Sequence, residues 1–137
     1  MRLTVNGRVR RPLSPSMEDL RACPAVTTRV TTECAGNGRA PLSPRPVSRP
    51  PRLVEAVGTA EWTGVALRLL LEEAGAEADA VGVMFTEADH GLERGVEQDH
   101  LRGLSLRAAL GEGPEVLVAH SMNGRPLPPS TAAPCGS

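Results

Sequence analysis

Apolar positions along the chain follow two spacings. Leu67, Leu70, Leu71 and Ala74 fall at i, i+3, i+4 and i+7, one face of a helix. This predicts a helix over 64–74, stopped by Gly75. Elsewhere the pattern is strand-like. Val and Thr alternate over 26–32 and run into Cys34, Gly36 and Gly38. Leu3, Val5 and Val9 alternate around Asn6-Gly7, a strand-turn-strand signal. Residues 80–85 read as a buried-type strand, 116–119 as another strand, and Asn123-Gly124 as a hairpin turn. Short helices are expected over 15–22, with Ser14 as cap, and from Ser105 through Leu110. Residues 41–51 carry five prolines and read as a loop, as does the exposed stretch at Asp89-His90-Gly91. There are no internal repeats and no strict βαβ alternation, so the expected class is α+β, mostly β, with mixed sheets and a few short helices.

Composition narrows this picture. With 137 residues, one domain is expected. The hydrophobic share of 40% suits a packed chain rather than a disordered one. Aromatics are one Trp, one Phe and no Tyr, so Val, Leu and Ala must form the core, and modest stability follows. Every base is Arg. Residues 1–52 hold ten Arg against three acids, while residues 53–137 hold five Arg against thirteen acids. The basic half has no aromatics to stack on bases, which argues against nucleic acid, and its default partner is the acidic half. Three Cys (Cys23, Cys34, Cys135) form no disulfide framework. No apolar run approaches a membrane span, and the start lacks a signal-peptide apolar region. The expectation for the chain as given is therefore cytoplasmic.

Cys34 is the sharpest chemical candidate. It stands where a strand pattern ends and a Gly-rich turn begins, which lets backbone approach a ligand closely. Arg39 adds a fixed positive charge nearby, a neighbour that favours a metal-binding thiolate. On spacing alone, a free Cys is more often a small buried hydrophobe. Other candidates are weaker. His90, His100 and His120 have no metal-ligand spacing. Gly36-Asn37-Gly38 lacks the third glycine of a dinucleotide fingerprint. Ser43 and Ser48 have no His/Asp partner signature. The PxxP spacings of the proline-rich loop read as structural, and Trp62 as core packing.

The wording around Cys34 adds a resemblance. Glu33-Cys34-Ala35-Gly36-Asn37-Gly38-Arg39 resembles the cysteine loop of the sulfite oxidase family. Val57-Gly58-Thr59-Ala60-Glu61-Trp62-Thr63-Gly64-Val65 and Ser121-Met122-Asn123-Gly124-Arg125-Pro126-Leu127-Pro128 resemble two later stretches of that family, in the same order. The resemblance implies a molybdopterin-binding fold and an oxidoreductase that transfers an oxygen atom at a Cys-ligated molybdenum. Cys34 would be the thiolate ligand, and soft thiolates suit such a metal. Arg39 would hold a small oxyanion such as sulfite. Asn37 and Asp89 would contact the cofactor. The electron acceptor is not implied.

The resemblance also has departures. Pro51 stands where the family often has a Trp, and a family segment with Arg and His is expected before Leu3. Beyond Pro129 the family continues with a His-Gly-x-Pro-Leu-Arg stretch. A one-base upstream shift of codons for residues 130–137 can spell Gln or Glu, then His-Gly-Gly-Pro-Leu-Arg-Leu. The expectation is a partial domain over 1–129 followed by an out-of-frame, disordered tail. The alternative function is a non-catalytic remnant that keeps part of the fold without cofactor.

Overall fold

The computed structural model describes residues 2–34, 36–44, 54–93, 96–111 and 116–127. Two antiparallel sheets and three short helices make up the fold, in keeping with the mostly-β α+β expectation. The first sheet has the order β1-β2-β5-β6 and comprises β1 (Ala25–Glu33), β2 (Val57–Ala66), β5 (Leu117–Met122) and β6 (Arg125–Pro126). The second is the pair β3 (Gly82–Glu93) and β4 (Val96–Ser105). The helices are α1 (Met17–Ala22), α2 (Leu67–Ala74) and α3 (Leu106–Ala109).

The long ladder joins β1 to β2, from Ala25 opposite Val65 to Glu33 opposite Val57. The alternating Val and Thr of β1 fit it well. Thr27 pairs with Thr63 and Thr31 with Thr59 through hydroxyl hydrogen bonds of 2.9 and 2.8 Å. On its other side β2 pairs with β5. Thr63 faces Ser121 but Gly64 faces Ala119, so His120 is an extra residue in a bulge. The strands approach closely there. A Cβ at Gly64 would lie 2.3 Å from the Val118 carbonyl oxygen, so a side chain cannot be accommodated without backbone movement.

That ladder corrects the expected helix over 64–74. Gly64, Val65 and Ala66 belong to β2, and the helix begins at Leu67, whose N–H donates to the Val116 carbonyl at 2.8 Å. The apolar face was read correctly: Leu67, Leu70, Leu71 and Ala74 are buried, and Gly75 ends the helix in a left-handed conformation. Val65 and Leu70 meet Leu20 of α1 in one cluster. Leu67 and Leu71 meet Ala109 in a second, which collects Val83 and Leu104 from the β3–β4 pair. Thus α2 joins the two sheets through an aliphatic core, and Trp62 is only half-buried.

Further corrections concern local signals overridden by tertiary pairing. Residues 3–9 do not form a hairpin around Asn6-Gly7. Val5 bridges Leu13, and Val9 crosses to Ala76 beside the end of α2. The cap of α1 is Ser16 rather than Ser14, because only Ser16 has an acid three residues on. Its hydroxyl accepts from the Asp19 N–H, and the Asp19 carboxylate accepts from the Ser16 N–H at 2.8 Å. Ser14 is held by Arg2 instead. The expected loop at Asp89-His90-Gly91 lies within β3, where His90 and Gly91 pair with Asp99 and Gln98. The strand at 80–85 is not of the buried type, since Val81 and Met84 are 90% and 64% exposed. Only one face of the pair is covered by α2 and α3. The expected hairpin at Asn123-Gly124 is present, with both residues at positive φ, as its primed turn requires.

Two arginines of the basic half pair with acids of the acidic half. Arg8 bridges Glu77 at 3.1 Å and contacts Asp79, and Arg11 bridges Glu73 at 3.0 Å. These exposed pairs tie the basic N-terminal segment to the last turn of α2 and to the stretch that follows it, each contributing little by itself. Pro51 and the segment 130–137 lie outside the described residues.

Leu70 is 3% exposed. Leu70→Ala is expected to destabilise the fold by about 2–5 kcal/mol in denaturant melts; a loss below about 0.5 kcal/mol would contradict the burial. The hydrogen bonds from Ser16 hold the Asp19 carboxyl below its ordinary value of 3.8. A depressed folded value means that the stabilisation is complete above the unfolded value and is lost as pH falls through the folded one. The urea midpoint should therefore decline between about pH 5 and pH 2 with a component that Asp19→Ala removes. Equal acid limbs in the two proteins would refute this.

Candidate functional site: the Cys34 loop

The β1–β2 ladder determines where Cys34 emerges. One step beyond the Glu33–Val57 pair, the Cys34 N–H donates to the Ala56 carbonyl at 2.9 Å, so the loop leaves the sheet from a closed rung. The Asn37 N–H then donates to the Cys34 carbonyl at 2.8 Å and closes a tight turn. Gly38 follows at φ +70°, a left-handed conformation that favours glycine. Cys34 is exposed. Its Sγ accepts the Gly36 N–H at 3.4 Å, so the sulfur carries a backbone donor and still faces solvent.

Asn37 is engaged at both ends of its carboxamide. Its Nδ2 donates to Glu33 Oε1 at 2.7 Å, and its Oδ1 accepts from the Ala56 N–H at 3.2 Å. Arg39 lies beyond Gly38 in the same loop and is half-buried; its carbonyl accepts from the Leu42 N–H at 3.2 Å. The structure thus brings Cys34, Asn37 and Arg39 into one loop. Asp89 is elsewhere, in β3 on the two-stranded sheet, at the irregularity between Thr86 and His90.

Sequence reasoning assigned no role to Glu33 or Ala56. An acid four residues before an Asn was a visible signal for the first. Nothing local pointed to Ala56, which meets the loop only through the register of β1 and β2.

Two concavities are lined by described residues. One, of about 330 Å³, is lined by Arg29, Thr59, Ala60, Glu61 and Asn123. The other, of about 380 Å³, is apolar and follows Val81–Met84 and Gly103–Ser105. Cys34, Asn37 and Arg39 line neither of these two.

The stretches around Cys34, over 57–65 and over 121–127 all lie on one sheet or the loop that leaves it. An exposed thiol is thus offered from a strand end, with a backbone donor on its sulfur, on an antiparallel α+β scaffold. The chain belongs to the family described as oxidoreductase molybdopterin binding domain, which matches residues 1–135. It is 33% identical over 141 residues to an NADH nitrate reductase of Ulva prolifera, covering 98% of this chain and 16% of the relative. It is 34% identical over 134 residues to a sulfite oxidase of Gallus gallus, covering 93% of this chain and 28% of the relative. The crystal structure of the sulfane dehydrogenase SoxCD from Paracoccus pantotrophus superimposes with a TM-score of 0.70 at 28% identity, covering 93% of this chain and 30% of that one. The chain therefore spans less than a third of the length of each of these proteins. Membership implies a molybdenum–pterin cofactor. Among the described residues, no helix is long and apolar enough to cross a membrane.

Cys34 should react with iodoacetamide several-fold faster than Cys23, which is half-buried with its thiol donating to the Asp19 carbonyl at 3.4 Å. Peptide mass spectrometry over a time course checks this, and equal rates would contradict the exposure of the Cys34 sulfur.

Proposed function

We propose that this chain acts in oxygen-atom transfer to or from a small oxyanion of the sulfite type, with Cys34 as the protein ligand to molybdenum. The observation that carries the reading is the exposed Cys34 sulfur beneath the Gly36 N–H, in a chain of the molybdopterin-binding family. The donor set fits the group: one soft, accessible thiol suits a metal whose other sulfur ligands come from the pterin. When bound, the cofactor supplies the oxygen-atom and two-electron chemistry, and the protein supplies ligation, orientation and electrostatics.

The remaining roles belong to this chain's own side chains. The Cys34 loop fixes the ligand relative to the sheet. Arg39 offers a permanently charged planar fork that makes charge-assisted hydrogen bonds to oxyanion oxygens. Asp89 is assigned a contact to the pterin, from β3.

A second reading stands beside it, since Cys34 and Arg39 line neither of the two concavities above. On that reading the chain keeps the fold without holding the cofactor. Metal analysis of the purified chain, expressed with cofactor synthesis intact, separates the two. The first reading expects about one molybdenum per chain, lost in Cys34→Ser with the melting curve unchanged. Arg39→Gln should keep the metal but raise the KM for sulfite about tenfold or more in a sulfite-dependent acceptor assay. No molybdenum in the parent chain would favour the second reading, and full metal content in Cys34→Ser would refute the ligand assignment.

A further inference from the structure

The carboxamide of Asn37 has a single arrangement compatible with its partners. The Glu33 carboxylate can only accept and the Ala56 N–H can only donate, so Nδ2 faces Glu33 and Oδ1 faces Ala56. Ala56 is thereby gripped on both sides, its carbonyl by Cys34 and its N–H by Asn37. Asn37 also closes the turn through its own N–H on the Cys34 carbonyl. Between those anchors sits Gly36, whose N–H rests on Cys34 Sγ. The backbone donor on the sulfur is held by a turn that Asn37 pins to the last residue of β1 and to the lead-in of β2.

We propose that Asn37 is a positioning residue for the Cys34 sulfur, acting through this three-point clip rather than by touching the cofactor. Its sense for catalysis rests on Cys34 being the metal ligand, whereas its hold on the thiol does not. Without the clip, the turn can open and the Gly36 N–H leaves Sγ. A sulfur relieved of a hydrogen-bond donor is a stronger nucleophile and a less oriented ligand.

The test uses the full chain without metal, alkylated by iodoacetamide at about pH 10, above the ordinary thiol range, so that ionisation is not the variable. The Cys34 peptide is followed by mass spectrometry. Asn37→Ala is expected to raise the Cys34 rate about threefold or more, leaving the Cys23 rate unchanged. Asn37→Asp should do the same, because it sets two carboxylates against each other. Adding Glu33→Gln to Asn37→Asp restores a donor–acceptor pair of reversed polarity and should return the rate to within about twofold of the parent. Molybdenum per chain should follow the same order, falling in both single variants and recovering in the pair. An unchanged rate in Asn37→Ala would overturn the proposal. So would a pair that behaves like Asn37→Asp alone, including the case where Asn37→Ala fails to fold. If the rates behave as expected while Cys34→Ser keeps its molybdenum, the ligand reading falls and the hold of Asn37 on the thiol stands.

Discussion

The register of β1 against β2 is the constraint on which the rest of the structure depends. Their pairing is continuous from Ala25–Val65 to Glu33–Val57, and each end has a separate consequence. At one end, Val65 is delivered into the core against Leu20 and Leu70, and the chain turns directly into α2. At the other, Cys34 is set beside Ala56 and the thiol loop starts from a hydrogen-bonded rung. Because side chains alternate along a strand, a slip of one residue would turn Val65 out of the core and remove the Ala56 carbonyl from Cys34 together. Packing and site are thus specified by the same alignment.

With so few aromatic side chains, that alignment is stabilised by modest means. Small aliphatic side chains are shared between two clusters, and Val118 packs against both. Cross-strand threonine pairs, the capping box of α1 and the exposed Arg–acid bridges supplement them. None of these is large alone, and a two-stranded sheet is marginal without cover. The β3–β4 pair accordingly depends on α2 and α3 along one face. Its other face leaves Met84 and Leu101 in contact with solvent.

Features encoded by neighbouring residues were legible in the sequence. The α2 face, the Gly75 stop, the Ser105 cap, the Asn123-Gly124 turn and the thiol at the end of a strand all depend on local spacing. Features encoded by distant pairing were not. Asp89-His90-Gly91 has loop composition, yet it lies within β3 opposite β4, whose polar composition gave no strand signal. Gly64 reads as a helix start until the approach of Val118 places it in β2. Within the loop, Cys34 at a strand end and the neighbouring Arg39 were visible in the sequence, and the roles expected of them came from the resemblance rather than from spacing. The clip made by Asn37 was not visible, because Ala56 becomes its neighbour only after the sheet has formed.

The bulge between β2 and β5 has a bearing on how the gene can vary. His120 is the residue that the ladder does not need by count, since Ser121 and Ala119 face consecutive residues of β2. A one-codon deletion in this strand can be absorbed by straightening the bulge, with the pairs on both sides intact. A one-codon insertion has no such outlet and must displace either the core end at Val118 or the turn at Asn123. The strand should therefore accept shortening by one residue more readily than lengthening by one. What shortening would forfeit is the buried imidazole of His120, whose Nε2 has no hydrogen-bond partner among the described residues.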